Sequence, residues 1–295
     1  MAGDAVALPA RTRQLISDYL ELTKPKVQTL LLFTTVATME IAGNPPVSKI
    51  ALTCLGGYLS AGGAGAVNHY FDRDIDAQMK RTASRPIPAG RIAPGAALGF
   101  GISLAALSFL LLGTCVNLLA ASLALAGFVG YVGVYTMWLK RRTPQNIVIG
   151  GAAGAMPPLV GWAATRGSIS WTAVYLFAIV FYWTPPHFWA LSLLMKDEYA
   201  KVSVPMMPVV RGEHETRRQI LLYTLLLYAI SQLPFCAGGF GAIYLAASMI
   251  LGLAFISGAV RLYRRADRRA ALQLYLFSLA YLALLFGAMV ADVKL

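Results

Sequence analysis

Predominantly apolar windows of about 18 residues or more recur from one end of this chain to the other, a pattern that few folds satisfy. A backbone in hydrocarbon must pair its N–H and C=O groups internally, which restricts a spanning segment to a helix or a closed barrel, and windows of this length suit helices. Nine spans are read, at roughly 27–43, 50–70, 94–112, 115–138, 146–165, 171–193, 219–237, 241–260 and 272–291. Only 13% of the residues are charged, about half the usual share for a soluble domain. The expected fold class is an all-α polytopic membrane protein, with residues 1–26 as an N-terminal segment and 27–291 as a single transmembrane domain.

The basic residues give the spans an orientation. The gaps between spans three and four and between seven and eight hold no Lys or Arg and read as tight turns. Basic residues collect before span one (Arg11, Arg13, Lys24, Lys26), after span two (Arg73, Lys80, Arg81, Arg85, Arg91) and after span four (Lys140, Arg141, Arg142). More follow span six (Lys196, Lys201, Arg211, Arg217, Arg218) and span eight (Arg261, Arg264, Arg265, Arg268, Arg269). Of the 25 Lys and Arg, only Lys49, Arg166 and Lys294 fall on the other side. The positive-inside rule then puts the N-terminus and the long loops in the cytoplasm and the C-terminus in the periplasm. Residues 1–25 lack an apolar signal core and an acid-free transit composition, so direct insertion into a bacterial inner membrane is expected.

This distribution accounts for the net charge of +12 without nucleic acid as a partner. Cys54, Cys115 and Cys236 lie in or beside apolar segments without CxxC spacing and read as small buried hydrophobes. Gly56-Gly57, Gly62-Gly63-Ala64-Gly65 and Gly150-Gly151-Ala152-Ala153-Gly154 read as faces for close helix packing. No strand precedes them, so they are not phosphate-binding glycine loops.

Polar chemistry gathers in three loops on the basic side. The first, Asn68 to Arg91, packs Asp72, Asp74 and Asp76 together in a chain with only 13 acids. Asn68, Asp72, Asp76 and Lys80 are spaced four apart, which on a helix makes one stripe with neighbours about 6 Å apart. Asn68 and His69 lie at the edge of an apolar span, where polar groups are costly and usually functional. The second loop, Tyr135 to Asn146, carries Lys140-Arg141-Arg142 after an aromatic helix end. Two readings stand for it: an interfacial topology anchor, or a pyrophosphate clamp built on Lys140 and Arg141. The third, Pro185 to Gly212, places Asp197 and Glu198 near Tyr199 and Lys201, with His187 just inside the preceding span. His187 is read either as a hydrogen-bonded structural group or as a functional one. His214 reads as a surface residue, and Glu40 is the one acid well inside a span.

Oxygen ligands beside basic residues suit Mg²⁺-assisted handling of a diphosphate, because Mg²⁺ takes one or two carboxylates and completes its shell with phosphate and water. A membrane enzyme has this need when the rest of the substrate is a long apolar chain. The residues therefore indicate a prenyl diphosphate transferase and leave its acceptor open.

The pattern Asn68-x-x-x-Asp72-x-x-x-Asp76 resembles the NxxxDxxxD motif of the UbiA-type intramembrane prenyltransferases. The stretches MKRTASRPIPAGRI, YTMWLKRRTPQNIVIGGAAGAMPPLVGW and YWTPPHFWALSLLMKDEYAKVSVPMMPVV are similar to its haem-farnesylating branch, and the resemblance covers roughly residues 19–290. It implies nine helices around a central cavity open to the cytoplasm. It also implies farnesyl transfer from farnesyl diphosphate to a vinyl group of haem B, with addition of water, to give haem O. By motif, Asn68, Asp72 and Asp76 would hold Mg²⁺, with Lys140, Asp197 and Lys201 completing the catalytic set. Arg73, Lys80, Arg81, Arg141, Tyr135 and Tyr199 would contact the diphosphate, and His187 or His69 would position haem. A haem A synthase or a terminal oxidase is the implied assembly partner, alongside the lipid bilayer. Many family members carry a second DxxxD where this chain has Asp197-Glu198-Tyr199-Ala200-Lys201, so a second carboxylate metal site is not expected and Lys201 would meet the diphosphate directly. The rival readings are a UbiA-type enzyme acting on an aromatic quinone precursor and a membrane transporter.

Overall fold

The computed structural model describes residues 9–295; residues 1–8 of the expected N-terminal segment lie outside the described residues. Every regular element among the described residues is helical. Helix α1 (Ala10–Leu22) precedes α2 (Pro25–Ala42), α3 (Val47–Phe71), the short α4 (Arg73–Gln78) and α5 (Pro94–Cys115). Next come α6 (Leu118–Leu139), α7 (Asn146–Arg166), α8 (Trp171–Leu194) and two short helices, α9 (Lys196–Lys201) and α10 (Met207–Val210). The chain ends with α11 (Gly212–Cys236), α12 (Ala242–Arg265) and α13 (Arg268–Lys294).

Seven of these helices, α3, α5, α6, α7, α11, α12 and α13, are long and apolar enough to cross a membrane, and the chain is a multi-pass membrane protein. The other two expected spans are helical as well, but their hydropathy is lower for a visible reason. α2 carries Gln28, four threonines and Glu40, and α8 is rich in Trp and Tyr and contains Pro185, Pro186 and His187. Aromatic rings bury a large apolar area yet bring a polar atom with them, which lowers a hydropathy average more than it lowers burial. The last three helices run past their apolar cores to carry Glu213, Arg261, Arg264 and Arg268 in regular helix. Helix α1 lies within the expected N-terminal segment; it buries Asp18 and Leu22 and leaves Leu15, Ile16 and Leu20 exposed.

Consecutive long helices pack on one another and α13 returns to α2, while α2 also meets α7 and α8 also meets α13. Small residues set the closest approaches. A Cβ on Gly63 would lie 2.6 Å from the Gly101 carbonyl, and one on Gly101 would lie 2.8 Å from the Gly63 carbonyl, so α3 and α5 cross backbone to backbone. A Cβ on Gly161 of α7 would fall 2.5 Å from the Thr35 carbonyl of α2. Side-chain caps begin several helices, with Asn117 accepting from the Ala120 amide at 2.8 Å and Asp267 from the Ala270 amide at 2.6 Å. The cysteines correct one expectation: Cys54 is half-buried and Cys115 and Cys236 are exposed on the outer surface of the bundle. A thiol is apolar enough to face lipid as readily as protein.

Candidate active site

Three of the four residues in the stripe stay in register through a break in its helix. α3 ends at Phe71, Asp72 caps it at φ −90° and ψ 2°, and α4 continues the chain. The Asp72 amide donates to the Asn68 carbonyl at 2.9 Å and the Asp76 amide to the Asp72 carbonyl at 2.7 Å, so the helical register runs through the cap. Asn68, Asp72 and Asp76 consequently share one face and are all buried, at 3%, 1% and 4% exposure. Lys80 leaves the stripe because Met79, at φ −94° and ψ 127°, turns the chain into an extended conformation.

Each aspartate of the cluster meets a basic residue from another part of the chain. Lys140, at the end of α6, is in contact with Asp72 Oδ2, while Arg85 Nη1 donates to Asp76 Oδ2 at 2.7 Å. Arg141 holds Asp74 with two hydrogen bonds, 2.7 and 2.6 Å long, and also donates to the Phe71 carbonyl. This fork keeps the Asp74 carboxyl at about 2, against a smaller upward push from burial, and raises Arg141. Lys24 is the fourth cation. Its Nζ donates to Asn68 Oδ1 at 2.6 Å, its one hydrogen bond among the described residues, and lies 5.9 Å from the centre of the Tyr131 ring. Burial pushes the Lys24 ammonium down to about 7, with Arg85 and Lys140 adding to the effect and Asp72 and Asp76 opposing it. Lys24 also adopts a left-handed conformation, φ 55° and ψ 53°, directly before Pro25. That geometry is costly for a residue with a Cβ and tends to occur at functional sites.

The remaining polar contacts fix the donors. Asn68 Nδ2 donates to Asp72 Oδ2 at 2.7 Å and to Thr136 Oγ1 at 3.1 Å. α6 widens into π-helical bonding over Gly130–Leu139, and the Lys140 amide reaches the Tyr135 carbonyl at 2.9 Å. Such insertions often mark functional positions; this one carries Tyr131, Tyr135 and Thr136 on the way to Lys140. Tyr135 occupies the space left by Gly150, whose Cβ would fall 2.4 Å from the ring. Asp72 Oδ1 is buried and has no hydrogen-bond partner among the described residues.

The other residues singled out from sequence spread over a wider area. Arg73 turns away to donate to the Tyr70 carbonyl at 2.7 Å and stack over the Tyr70 ring, and Arg81 is exposed. The first and third loops meet through Glu198, which accepts the Lys80 amide at 2.9 Å and the Lys201 ammonium at 3.3 Å. Asp197 is exposed without a side-chain hydrogen bond or ion pair among the described residues, and Tyr199 is half-buried against the core. His187 is clamped between Trp183 and Tyr275, ring centres 4.3 and 4.9 Å away, with Nδ1 2.6 Å from Ser278 Oγ. His69 is buried, and neither ring nitrogen has a hydrogen-bond partner among the described residues. Lys24 and Arg85 were read from sequence only as topological charges, and Thr136 carried no signal. A cation at a span boundary looks the same whether it faces water or a buried amide.

The donor set fits Mg²⁺. It offers an amide oxygen and two carboxylates, hard ligands, and one buried carboxylate oxygen is unclaimed. No group of three or more His, Cys, Asp or Glu forms an all-protein cage among the described residues. That sparseness suits an ion that completes its shell with phosphate oxygens and water.

Comparison with known proteins shows the chain's relatives. A protoheme IX farnesyltransferase of Symbiobacterium thermophilum is 54% identical over 284 residues, covering 95% of this chain and 95% of that protein. One of Chloroflexus aurantiacus is 54% identical over 282 residues, 95% of this chain but 48% of that protein, so the chain spans about half the length of several curated relatives it matches. A solved digeranylgeranylglyceryl phosphate synthase shares the fold, with a TM-score of 0.78 at 21% identity over 94% of this chain and 98% of its own. The UbiA prenyltransferase family profile matches residues 30–285. With most of its length matched, this chain belongs to the UbiA prenyltransferase family.

Proposed function

We propose that this chain transfers the farnesyl group of farnesyl diphosphate to a vinyl group of haem B, with addition of water, forming haem O and releasing diphosphate. The observation that carries the reading is the buried Asn68–Asp72–Asp76 line, met by Lys24, Lys140 and Arg85, with Arg141 on the neighbouring Asp74. With Asp74 included, the cluster sets three carboxylates against Lys140, Arg85, Arg141 and the buried Lys24 amine, whose charged form an incoming diphosphate would favour. A relative of matching length named for the haem reaction supports the acceptor.

Asn68, Asp72 and Asp76 would hold Mg²⁺, which neutralises charge on a bound diphosphate and so lowers the barrier to breaking the allylic C–O bond. Lys140 and Arg85 release their carboxylates and, with Lys24 and Arg141, donate to the departing diphosphate. Tyr135 and Tyr199 border it, and Arg73, Lys80, Arg81 and Lys201 attract it on arrival. Asp197 is assigned to the outer rim of the site. The bundle excludes bulk water from the farnesyl cation until the haem vinyl π electrons form the new C–C bond; one water then adds to the resulting carbocation and loses a proton. His69 or His187 positions the haem. α2 and α8 cross the bilayer with the seven more apolar helices, giving nine spans around a central cavity. The N-terminus and the diphosphate site lie on the cytoplasmic side of a bacterial inner membrane, as the basic loops require.

The test is incubation of purified protein with haem B, farnesyl diphosphate and Mg²⁺, followed by mass analysis of the pigment. A gain of one farnesyl group and one water supports the reading. Prenylation of an aromatic acceptor with haem unchanged would replace it.

A further inference from the structure

We propose that the cleft between α12 and α13 is a binding site for one anionic glycerophospholipid. The cleft holds about 330 Å³ and is lined by Ala254, Ser257, Gly258 and Arg261 of α12 and by Ala270, Gln273, Leu274 and Phe277 of α13. Ala254, Gly258 and Ala270 present small side chains to it, so a larger residue at Ala254 would fill the space.

The lining is graded along the membrane normal. Arg261 is at the loop end, Ser257 and Gln273 lie deeper, and Ala254 and Phe277 are deepest. Seven helical residues separate Ala254 from Arg261, a rise of about 10 Å. A phospholipid presents the same sequence of chemistry over a comparable depth: charged phosphate, ester oxygens, then acyl chain. Flanking Ile250, Leu253, Leu272 and Leu276 are exposed and apolar, as helices facing lipid should be.

The loop end carries a net positive charge. Arg261, Arg264, Arg265 and Arg269 are exposed with no hydrogen bond or ion pair among the described residues, and Arg268 reaches only the Leu194 carbonyl, at 3.3 Å. Residues 261–269 hold five arginines and one acid, Asp267, whose Oδ1 accepts the Ala270 amide at the start of α13. Arg268 and Arg269 also sit in the first turn of α13, where the helix dipole disfavours a cation. Topological sorting asks only that arginines lie on this side of the membrane. It does not require a graded cleft beneath them. Basic pockets between helices at this depth bind anionic headgroups.

The test uses full-length protein extracted in mild detergent, with phosphatidylglycerol, phosphatidylcholine or inorganic phosphate added and retained lipid counted by native mass spectrometry. Wild type should retain one phosphatidylglycerol in preference to phosphatidylcholine. Arg261→Gln should lower the bound fraction about fivefold, the factor one arginine near an anionic surface supplies. Ala254→Trp fills the apolar end, leaves every charge in place, and should also lose the lipid. Arg211→Gln, which removes an exposed charge from the same loop side outside the cleft, should retain it. Equal losses in Arg211→Gln and Arg261→Gln, or full retention in Ala254→Trp, would overturn the site in favour of general charge attraction. Thermal protection by inorganic phosphate equal to that by phosphatidylglycerol would overturn the lipid as ligand.

Discussion

Lys140 contacts the buried carboxylate of Asp72 from 68 positions further along the chain, pinning the end of α6 to the cap of α3. Asp72 is 1% exposed and, among the described residues, its other oxygen is unpartnered and Lys140 is the one cation in contact with it. Lys140→Met should therefore strand a buried charge and cost about 3–5 kcal/mol of stability. The double variant Asp72→Asn/Lys140→Met should recover much of that loss, read from unfolding midpoints in one detergent. Asp72→Ala should abolish farnesyl transfer while the helical signal persists; a Lys140→Met protein as stable as wild type would show that the pair is not an energetic unit.

The α3–α5 crossing predicts a contrast within one helix. Gly101→Ala puts a methyl group 2.8 Å from the Gly63 carbonyl, a backbone atom that cannot swing aside. The helices must separate, at a cost of about 1–3 kcal/mol. A Cβ on Gly99 meets nothing within 4 Å, so Gly99→Ala should be neutral or stabilise by up to about 1 kcal/mol through helix propensity. Melting both variants checks this, and equal shifts would contradict the crossing.

Glu198 joins the first and third loops through the Lys80 amide and Lys201. Glu198→Ala should free the segment around Lys80 and Arg81, both exposed trypsin sites. Losing one hydrogen bond of about 0.5–1.5 kcal/mol corresponds to cleavage there about 2–10 times faster. An unchanged cleavage rate would mean the loops stay together without it.

These contacts also show what the sequence could and could not carry. The register of Asn68, Asp72 and Asp76 was legible because spacing by four survives the break at Asp72. The helices α2 and α8 were legible as apolar runs although Gln28, Glu40, Pro185 and His187 lower their hydropathy. Partnership across the chain was not: nothing local distinguishes Lys24, which reaches Asn68, from Lys26, or Arg85, which holds Asp76, from Arg81. Nor does the DEYAK segment reveal that Glu198, rather than Asp197, touches the first loop. Such pairings depend on which loops fold over one another, a long-range result of helix packing.

Lys24 offers the sharpest test of the diphosphate reading. When diphosphate arrives, Lys140 and Arg85 must give up carboxylates, whereas Lys24 gives up only a neutral amide oxygen. Its interaction with the anion is thus the least offset by what it leaves. A hydrogen bond to a charged group contributes about 1.5–3 kcal/mol, so Lys24→Met should raise the KM for farnesyl diphosphate about 10–100-fold. Chelation of divalent cations should act differently: turnover stops and returns with Mg²⁺, while the four basic residues still retain part of the binding. In chelator, Lys24→Met should weaken the remaining affinity further, measured by displacement of labelled farnesyl diphosphate. Equal affinity of the variant and wild type under both conditions would exclude Lys24 from the diphosphate site and leave the αL conformation before Pro25 as a structural feature of the turn alone.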